Sequence, residues 1–416
     1  MRASPSRVVQ SSRRARSSLY IAATILLAAQ RTQGAVDAAD PFELYIADQY
    51  SYDDNLFRVP DDVPAGDPSA IAARNREDYI NRAAIGMRTR WDVARQTFAF
   101  GLRLDDVRFQ NNDHLDHTGG SGNLAWDWRL GSNWSGRVNA QYDRALASFS
   151  NYRFFGRDLL DTYQYGGELR YQIGSRWTLF GAGLHAESEH SADVRRLDDF
   201  ESTSGRGGLE YRTPADNLLA LEYRHTEADF PVAARLLGPD ARRYEEYVRV
   251  IRAEYAFTVK TRLQARAGYL DRKYADPAAG DFSGEIWNAT LSWEPRSALA
   301  IDVKAWHELR AYADSESDYF VARGASIGPV WEPTTKLKVT AAVATEDQEY
   351  LGTGTIAPAL EPRRNDDVRS GQIAIEYVPR DFLSFDLSAR WVERTSNRDL
   401  HGYDSNLISA QVRITL

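Results

Sequence analysis

The fold is decided by a stretch in which apolar and charged side chains alternate, Leu124-Ala125-Trp126-Asp127-Trp128-Arg129-Leu130. The turn Gly131-Ser132-Asn133 follows it, and the alternation starts again at Trp134. Because successive side chains of a β-strand point to opposite faces, the leucines and tryptophans share one face and the charged residues share the other. The stretch therefore predicts two antiparallel strands joined by a tight turn, each with one apolar and one charged face.

The same unit recurs along the chain, with an aromatic residue before each tight turn and an apolar residue after it. The turns are centred near residues 93, 131, 174, 214, 259, 296, 334 and 380. Their spacing of roughly 40 residues also occurs in solenoids and propellers. Here, however, each unit holds two alternating strands, a short turn and a longer polar loop, which is the hairpin plan of a membrane barrel.

The pattern predicts an all-β protein, an antiparallel transmembrane β-barrel of about 18 strands, with 16 as the alternative count. The mean hydropathy of −0.52 is too polar for a bundle of membrane helices. A membrane barrel is also polar overall, because only alternate residues of each strand face lipid. A soluble sandwich alternates too, but its charged faces look outward to water, whereas the dense charged faces here would line a wet lumen.

The strand and loop positions follow from the same alternation. The first strand is predicted over residues 42–53, the second over 78–91 and the last over 405–416. The short turns should be periplasmic and the longer loops extracellular. These loops are predicted at residues 54–77, 110–121, 149–162, 189–203, 229–243, 275–283, 313–318, 348–366 and 395–404.

The N-terminal segment, residues 1–38, is predicted to be a secretory signal peptide, which leaves residues 39–416 as a single barrel domain. Five arginines precede the apolar run at residues 19–29, and Val36-Asp37-Ala38 offers small residues at a cleavage site. Cleavage at Thr32-Gln33-Gly34, twin-arginine export through Arg13-Arg14, and an uncleaved anchor helix are the less favoured alternatives.

The amino-acid composition limits the binding partners that we expect and excludes cysteine-based sites. The chain has no cysteine, so disulfides and thiolate metal sites are excluded, and no cofactor is expected. Its net charge of −8 argues against a nucleic-acid partner. The expected partners are outer-membrane lipids and the barrel-insertion machinery.

A short motif supports a family resemblance. The first strand, beginning Phe42-Glu43-Leu44-Tyr45-Ile46, leads into Tyr52-Asp53-Asp54-Asn55-Leu56-Phe57-Arg58, and Trp-Glu-Pro turns occur at residues 293–295 and 331–333. These features resemble the EpsL-like outer-membrane proteins, the putative β-barrel porin 2 family, which are associated with exosortase and PEP-CTERM exopolysaccharide loci. The resemblance implies a place in the outer membrane of a Gram-negative bacterium and a role in exopolysaccharide biosynthesis or export. Exopolysaccharide and periplasmic export components would then be further partners.

Three functions remain open, and none of them is enzymatic. The leading hypothesis, which rests on the resemblance, is a conduit or component of an exopolysaccharide export apparatus. The second is a general or substrate-specific diffusion porin for small solutes, and the third is a structural or adhesive barrel. A conduit predicts lumenal aromatic residues on which sugar rings stack, with Trp306 as the clearest candidate. A small-solute porin predicts a constriction of opposed charges instead, and the 54–77 loop could plug the lumen.

The candidate site residues are the side chains predicted to line the lumen. If these side chains form rings of charge, they would set the selectivity of the pore. If they form cross-strand ion pairs, they would only stabilise the barrel. We favour ion pairing for most of them. They are Arg103, Arg129, Arg137, Glu168, Arg170, Arg212, Glu222, Arg224, Arg252, Glu254, Trp306, Arg310 and Arg390.

The motif at residues 52–58 also has two interpretations. It is either a gate or contact for an exported glycan, or, as we favour, a structural exit of the first strand in which Arg58 pairs with an acid. A calcium site among the nearby aspartates and a metal site at His114 and His117 are both disfavoured, so no metal site is predicted. A lipase-like serine–histidine pair is disfavoured as well, because no serine shares the face of His307 within its strand.

Overall fold

The computed structural model describes residues 42–64, 67, 69–150, 154–311, 317, 319–352 and 363–416. The predicted signal peptide lies outside these ranges and stays a prediction, as do most of the predicted loop at 313–318 and the centre of the loop at 348–366. None of the helices in the described part of the chain is long and apolar enough to cross a membrane.

The described residues form one closed sheet of 18 antiparallel strands, so the predicted fold and the count of 18 are confirmed. Each strand pairs with its neighbours in the chain, and the first strand also pairs with the last. The strands are β1 Phe42–Asp53, β2 Asp78–Val93, β3 Gln96–Phe109, β4 His117–Leu130, β5 Trp134–Leu146, β6 Leu159–Ile173, β7 Trp177–His190, β8 Phe200–Arg212, β9 Leu218–Asp229, β10 Tyr244–Thr258, β11 Thr261–Tyr274, β12 Phe282–Arg296, β13 Leu299–Ala311, β14 Tyr319–Thr334, β15 Leu337–Leu351, β16 Asn365–Arg380, β17 Leu383–Ser396 and β18 Tyr403–Thr415.

Short helices occur only in the longer connections of the described chain. Two are α-helices, α1 Ser69–Arg74 and α2 Pro231–Leu237, and three are 3₁₀ turns, Asp113–Leu115, Asp193–Asp198 and Pro277–Ala279. All five lie at the end of the barrel that carries the long loops, which we call the long-loop end. The opposite, short-turn end is closed by tight connections in which Gly131 and Gly174 adopt positive φ angles of 62° and 61°.

Several predicted loops are wrong at their edges, because the strands continue into them. The predicted loop at 110–121 gives way to β4 at His117, and β15 extends to Leu351 although 348–366 was predicted as loop. These extensions carry polar residues on both faces, so apolar alternation is lost while the hydrogen-bonded ladder continues. The predicted first strand, 42–53, agrees with β1, and the predicted second strand ends two residues before β2 does.

The outer face of the barrel is apolar. Ile46, Ile85 and Leu104 are cross-strand neighbours on β1, β2 and β3, and their side chains are 46%, 56% and 56% exposed. The alternating residues between them, such as Arg103, point inward. A continuous belt of exposed aliphatic side chains around a closed barrel is stable only against an apolar medium.

Aromatic residues border this belt at both ends. Near the short-turn end, Phe98 stacks on Trp126 with ring centroids 5.9 Å apart, and Trp134 packs on Tyr171 at 4.6 Å. Near the long-loop end, Tyr142 packs on Tyr163 at 4.9 Å. Two such girdles mark the two interfaces of a lipid bilayer.

A substitution at a glycine of the inner face can show how tightly the barrel wall is packed. Gly268 of β11 lies opposite Val250 of β10, and a Cβ at this position would overlap the main-chain oxygen of Arg249. Because that oxygen belongs to the strand ladder, it cannot move aside alone. We expect Gly268→Ala to lower the free energy of unfolding by about 1–3 kcal/mol, measured by urea titration of the barrel refolded in lipid vesicles.

The control is Gly183→Ala on the outer face. The nearest atom to a Cβ at Gly183 is the main-chain oxygen of Ser204, 4.0 Å away. This substitution should change the free energy of unfolding by less than about 0.5 kcal/mol. Equal losses in the two variants would show that the inner wall is not packed as described.

Candidate functional site: the charged lumen

The inner face of the barrel, here called the lumen, is lined by arginines and carboxylates. The strand register sets this arrangement, because inward-facing residues of adjacent strands lie side by side. On β5 and β6, for example, Arg137 lies opposite Glu168. The chain as a whole has a net charge of −8, yet its inward positions carry cationic and anionic side chains in similar numbers.

The largest set of ion pairs, which we call the central network, joins β6, β8 and β10. Glu168 accepts hydrogen bonds from Arg170 at 3.0 Å and from Arg206 at 2.7 Å. Glu210 is held between Arg170 and Arg252, the latter at 2.5 Å. Each carboxylate thus bridges two arginines, which fixes long side chains along the wall and keeps them out of the passage.

The central network also encloses an aromatic ring. The guanidinium groups of Arg170 and Arg206 lie 5.6 and 5.7 Å from the centroid of the Phe180 ring. Glu222 extends the network on β9, with a carboxylate oxygen 3.8 Å from Arg206. Cation–π contacts and ion pairs therefore restrain the same arginines.

A second set, the buried triad, lies closer to the long-loop end. Glu246 of β10 accepts hydrogen bonds from Arg224 of β9 at 2.9 Å and from Arg272 of β11 at 2.6 and 3.2 Å. The Arg272 guanidinium stacks 4.2 Å from the Tyr244 ring centroid, and its side chain is only 5% exposed. This triad ties three adjacent strands together beneath the loops.

Trp306 lies on the lumenal side of β13, as predicted, but it is fixed to the wall. Its indole nitrogen donates a hydrogen bond to Glu346 at 2.7 Å, and Arg310 donates to the same carboxylate at 3.0 Å. Its ring lies over Gly324 of β14, where any side chain would collide with it. One face of the ring is thus covered by the wall.

The predicted site residues fall into three groups. Nine are held by hydrogen bonds or salt bridges within the wall: Arg103, Arg137, Glu168, Arg170, Glu222, Arg224, Arg252, Trp306 and Arg310. Arg212 lies at the short-turn end and pairs with Asp216 of the adjoining turn at 3.0 Å. The side chains of Arg129, Glu254 and Arg390 make no hydrogen bond or salt bridge with any residue the structure describes.

Several central residues were missed by the sequence analysis. Glu210, Glu246 and Arg272 anchor the two sets of ion pairs, and Arg82 and Arg266 also line the lumen. All five share the inward alternation of residues that were predicted, such as Arg212 and Arg252. Applying the alternation to every inward position of each strand would have found them.

The motif at residues 52–58 forms the turn by which β1 enters its loop. Arg58 donates two hydrogen bonds to Asp53 at 2.7 and 2.8 Å and has a positive φ of 56°. The Asn55 side chain donates to the main-chain oxygens of Val59 and Asp404, both at 2.7 Å. The neighbouring Asp54 accepts hydrogen bonds from Asn406 at 2.6 and 2.7 Å.

The rest of the motif packs either inward or on the outer rim. Leu56 and Phe57 are buried in an apolar cluster with Val107 and Phe109 of β3, whose side chains point into the barrel. The Tyr52 hydroxyl donates to Glu77 at 3.0 Å, outside the lumen. The β1–β2 loop is therefore folded against the inner wall of the barrel, where it narrows the lumen.

A second loop reaches into the same space. Phe149 and Phe155 of the β5–β6 connection pack on Phe57, with ring centroids 4.9 and 5.6 Å away. The main-chain oxygen of Ser150 accepts a hydrogen bond from Arg394 of β17 at 2.6 Å. Six strand steps separate β5 from β17 around the wall, so this contact is made through the barrel interior.

These features define the class of protein. A closed barrel with an apolar belt, two aromatic girdles and a charged lumen is an outer-membrane β-barrel. Its architecture, with 18 strands and loops folded inward, is that of a porin.

Comparison with known proteins agrees with this class. The model of the family described as "Putative beta-barrel porin 2" matches residues 253–416, which correspond to the end of β10 and to β11–β18. The matched segment is less than half of the chain, and the motif at residues 52–58 lies outside it. Among curated proteins, none matches the sequence.

Solved porin structures resemble the whole barrel at low identity. They include OccK2 (OpdF) of Pseudomonas aeruginosa in complex with glucuronate, with 12% identity and a TM-score of 0.49 over 90% of this chain and 98% of that one. The outer-membrane protein OpdK of P. aeruginosa and a BenF-like porin of Pseudomonas fluorescens Pf-5 each have 10% identity and a TM-score of 0.49, over 90% of this chain and 99% of theirs. Similarity at this level carries no argument about solutes.

Proposed function

We propose that this protein is a diffusion porin that admits small solutes through its charged lumen. The observation that carries the proposal is the lining of opposed charges, of which the central network around Glu168 and Glu210 is the largest part. Such a lining orients small polar solutes and excludes apolar ones. The inward-folded β1–β2 and β5–β6 loops add a constriction at the long-loop end.

The export of exopolysaccharide, which was the leading hypothesis from the sequence, has less support. A glycan conduit requires exposed aromatic faces along the passage, and the best candidate, Trp306, is held against Gly324 and hydrogen-bonded to Glu346. The comparisons contain a porin family but nothing that refers to exopolysaccharide. The small-solute porin therefore replaces it as the favoured function.

Planar-bilayer conductance of the refolded protein tests the proposal, with and without exopolysaccharide fragments from the host. We expect a steady conductance that the fragments do not change. A conductance blocked by the fragments would favour the glycan conduit instead. A folded, heat-modifiable barrel without conductance would contradict both and favour a structural or adhesive barrel.

A further inference from the structure

The short-turn end of the barrel carries a ring of exposed positive charge. The eight connections at this end hold four cationic side chains and two carboxylates. One carboxylate, Asp216, is paired with Arg212 at 3.0 Å, and the other, Asp381, directly follows Arg380. The four cations form what we call the basic collar, and they are Arg95, Arg176, Lys260 and Lys336. Their charge contrasts with that of the whole chain, whose net charge is −8.

The charges of the basic collar are not neutralised by neighbouring acids. Three of its side chains donate a hydrogen bond to a main-chain oxygen beside the next short turn: Arg95 to Gly131 at 2.6 Å, Lys260 to Pro295 at 3.0 Å and Lys336 to Pro379 at 2.9 Å. A main-chain oxygen bears no net charge, and none of the four collar residues forms a salt bridge with a residue that the structure describes. These hydrogen bonds therefore hold the side chains along the rim while each keeps its charge.

Each collar residue lies beside an outward-facing aromatic residue of the girdle. Arg176 directly precedes Trp177 in the chain. For the other three, the residue that follows the cation pairs in the strand register, or forms a hydrogen bond, with the aromatic residue: Thr261 with Trp293, Leu337 with Tyr377 and Gln96 with Trp126. The aromatic girdle lies at the membrane interface, and one strand residue spans about 3.3 Å. The collar therefore lies at the level of the lipid headgroups.

The collar surrounds the barrel instead of marking one side of it. Its four residues occupy every second short turn, namely those between β2 and β3, β6 and β7, β10 and β11, and β14 and β15. A single protein partner would contact one sector of such a ring, whereas the lipid around the barrel meets all of it. Near the opposite end, β7–β10 carry neighbouring acids on the outer face, since Glu187 pairs with Glu201 and Glu227 with Glu245.

We propose that the basic collar binds the headgroups of anionic phospholipids around the short-turn rim. A net negative headgroup supplies the charge that the collar lacks, whereas a zwitterionic headgroup brings a cation of its own. Short turns of outer-membrane barrels face the periplasm, so these lipids belong to the leaflet of glycerophospholipids and not to that of lipopolysaccharide. The inference is independent of the proposed porin function, because a barrel without conductance has the same rim.

Quenching of tryptophan fluorescence by brominated lipids tests the inference, because several exposed tryptophans lie near the short-turn end: Trp91, Trp134, Trp177, Trp293 and Trp331. The barrel is refolded at low salt in vesicles that mix phosphatidylcholine with phosphatidylglycerol, with one of the two lipids brominated in each series. We expect phosphatidylglycerol to bind the barrel surface about fivefold more tightly, which is the effect of one cation near an anionic surface. In about 1 M salt the preference should fall below about twofold, since the charges are screened.

Paired lysine variants separate the collar from the net charge of the protein. Lys260→Gln/Lys336→Gln removes half of the collar and should lower the preference to about threefold. Lys273→Gln/Lys304→Gln is the matched control, because it removes two exposed lysines of β11 and β13 that lie away from the short turns, and it should leave the preference at about fivefold. Lys260→Arg/Lys336→Arg keeps the charge and should keep the preference as well.

Three outcomes would overturn the inference. Equal binding of the two lipids by the unmodified protein would leave the collar to another partner, such as an acidic periplasmic protein. A preference that high salt does not weaken would not come from the collar's charge. An equal loss in the collar variant and in its matched control would be a general effect of net charge. If the lysine variant fails to refold, Arg95→Gln/Arg176→Gln takes its place with the same expected loss, because it neutralises the other half of the collar.

Discussion

Replacing Glu246 by alanine is expected to destabilise the barrel by about 3–5 kcal/mol. Glu246 is the single carboxylate of the buried triad and accepts hydrogen bonds from Arg224 and Arg272. Its removal leaves two positive charges facing each other. The Arg272 side chain is almost wholly buried, and its Nη1 atom already lacks an acceptor among the residues that the structure describes. Most of this loss of stability comes from the buried charge that is left uncompensated, and less of it comes from the lost contacts.

The free energy of unfolding, from urea titration in lipid vesicles, measures this effect. Glu254→Ala is the control, because Glu254 points inward from the same strand and its side chain has no hydrogen bond or salt bridge among the described residues. It should change the free energy by less than about 0.5 kcal/mol. If both variants lose the same amount, the triad contributes nothing specific to stability.

Replacing Leu387 by arginine is expected to cost about 2–4 kcal/mol, because the charge would be placed in the middle of the lipid belt. Leu387 is 51% exposed on the outer face of β17, between the aromatic residues Phe385 and Trp391 of the same strand. Its cross-strand neighbours are Ile375 and Ala410. An arginine there has no partner and no water.

The adjacent residue gives an internal comparison. Ser388 faces the lumen opposite Ser409, so an arginine at this position extends into a polar space. Ser388→Arg should cost less than about 1 kcal/mol, since lumenal substitutions alter selectivity rather than stability. The same urea titration measures both variants, and a larger cost at Ser388 than at Leu387 would mean that the two faces of the barrel have been assigned the wrong way round.

The class, the strand count and the two faces could be predicted from the sequence because alternation is a local property. Leu102 and Leu104 on one side, with Arg103 and Asp105 on the other, identify a strand and its orientation without any knowledge of its neighbours. Strand ends were less predictable. Gly119 and Gly120 resemble a loop in composition, yet they continue β4 because their main-chain groups pair with β3.

The ion pairs could not be predicted, because they depend on the register between strands and on the direction of long side chains. Arg170 has Glu168 two residues away, but it also reaches Glu210, 40 residues along the chain. Glu246 and Glu254 have the same inward alternation on β10, yet Glu246 anchors a triad, whereas the Glu254 side chain has no ion-pair partner in the described part of the chain. The inward fold of the β1–β2 loop was raised only as a hypothesis, since the burial of Phe57 depends on Phe149 and Phe155, far away in sequence.

The pairing of β1 with β18 closes the barrel, and it determines when the lumen forms during folding. Nine residue pairs, from Tyr45 with Thr415 to Asp53 with Leu407, join strands from opposite ends of the chain, and Ser51 donates to Ser409 at 2.8 Å. These are the contacts of greatest sequence separation, so they form only after nearly the whole sheet has been ordered. A sheet arrested at seventeen strands would have two open edges and no enclosed space. The passage therefore comes into existence in one step, when the last strand meets the first.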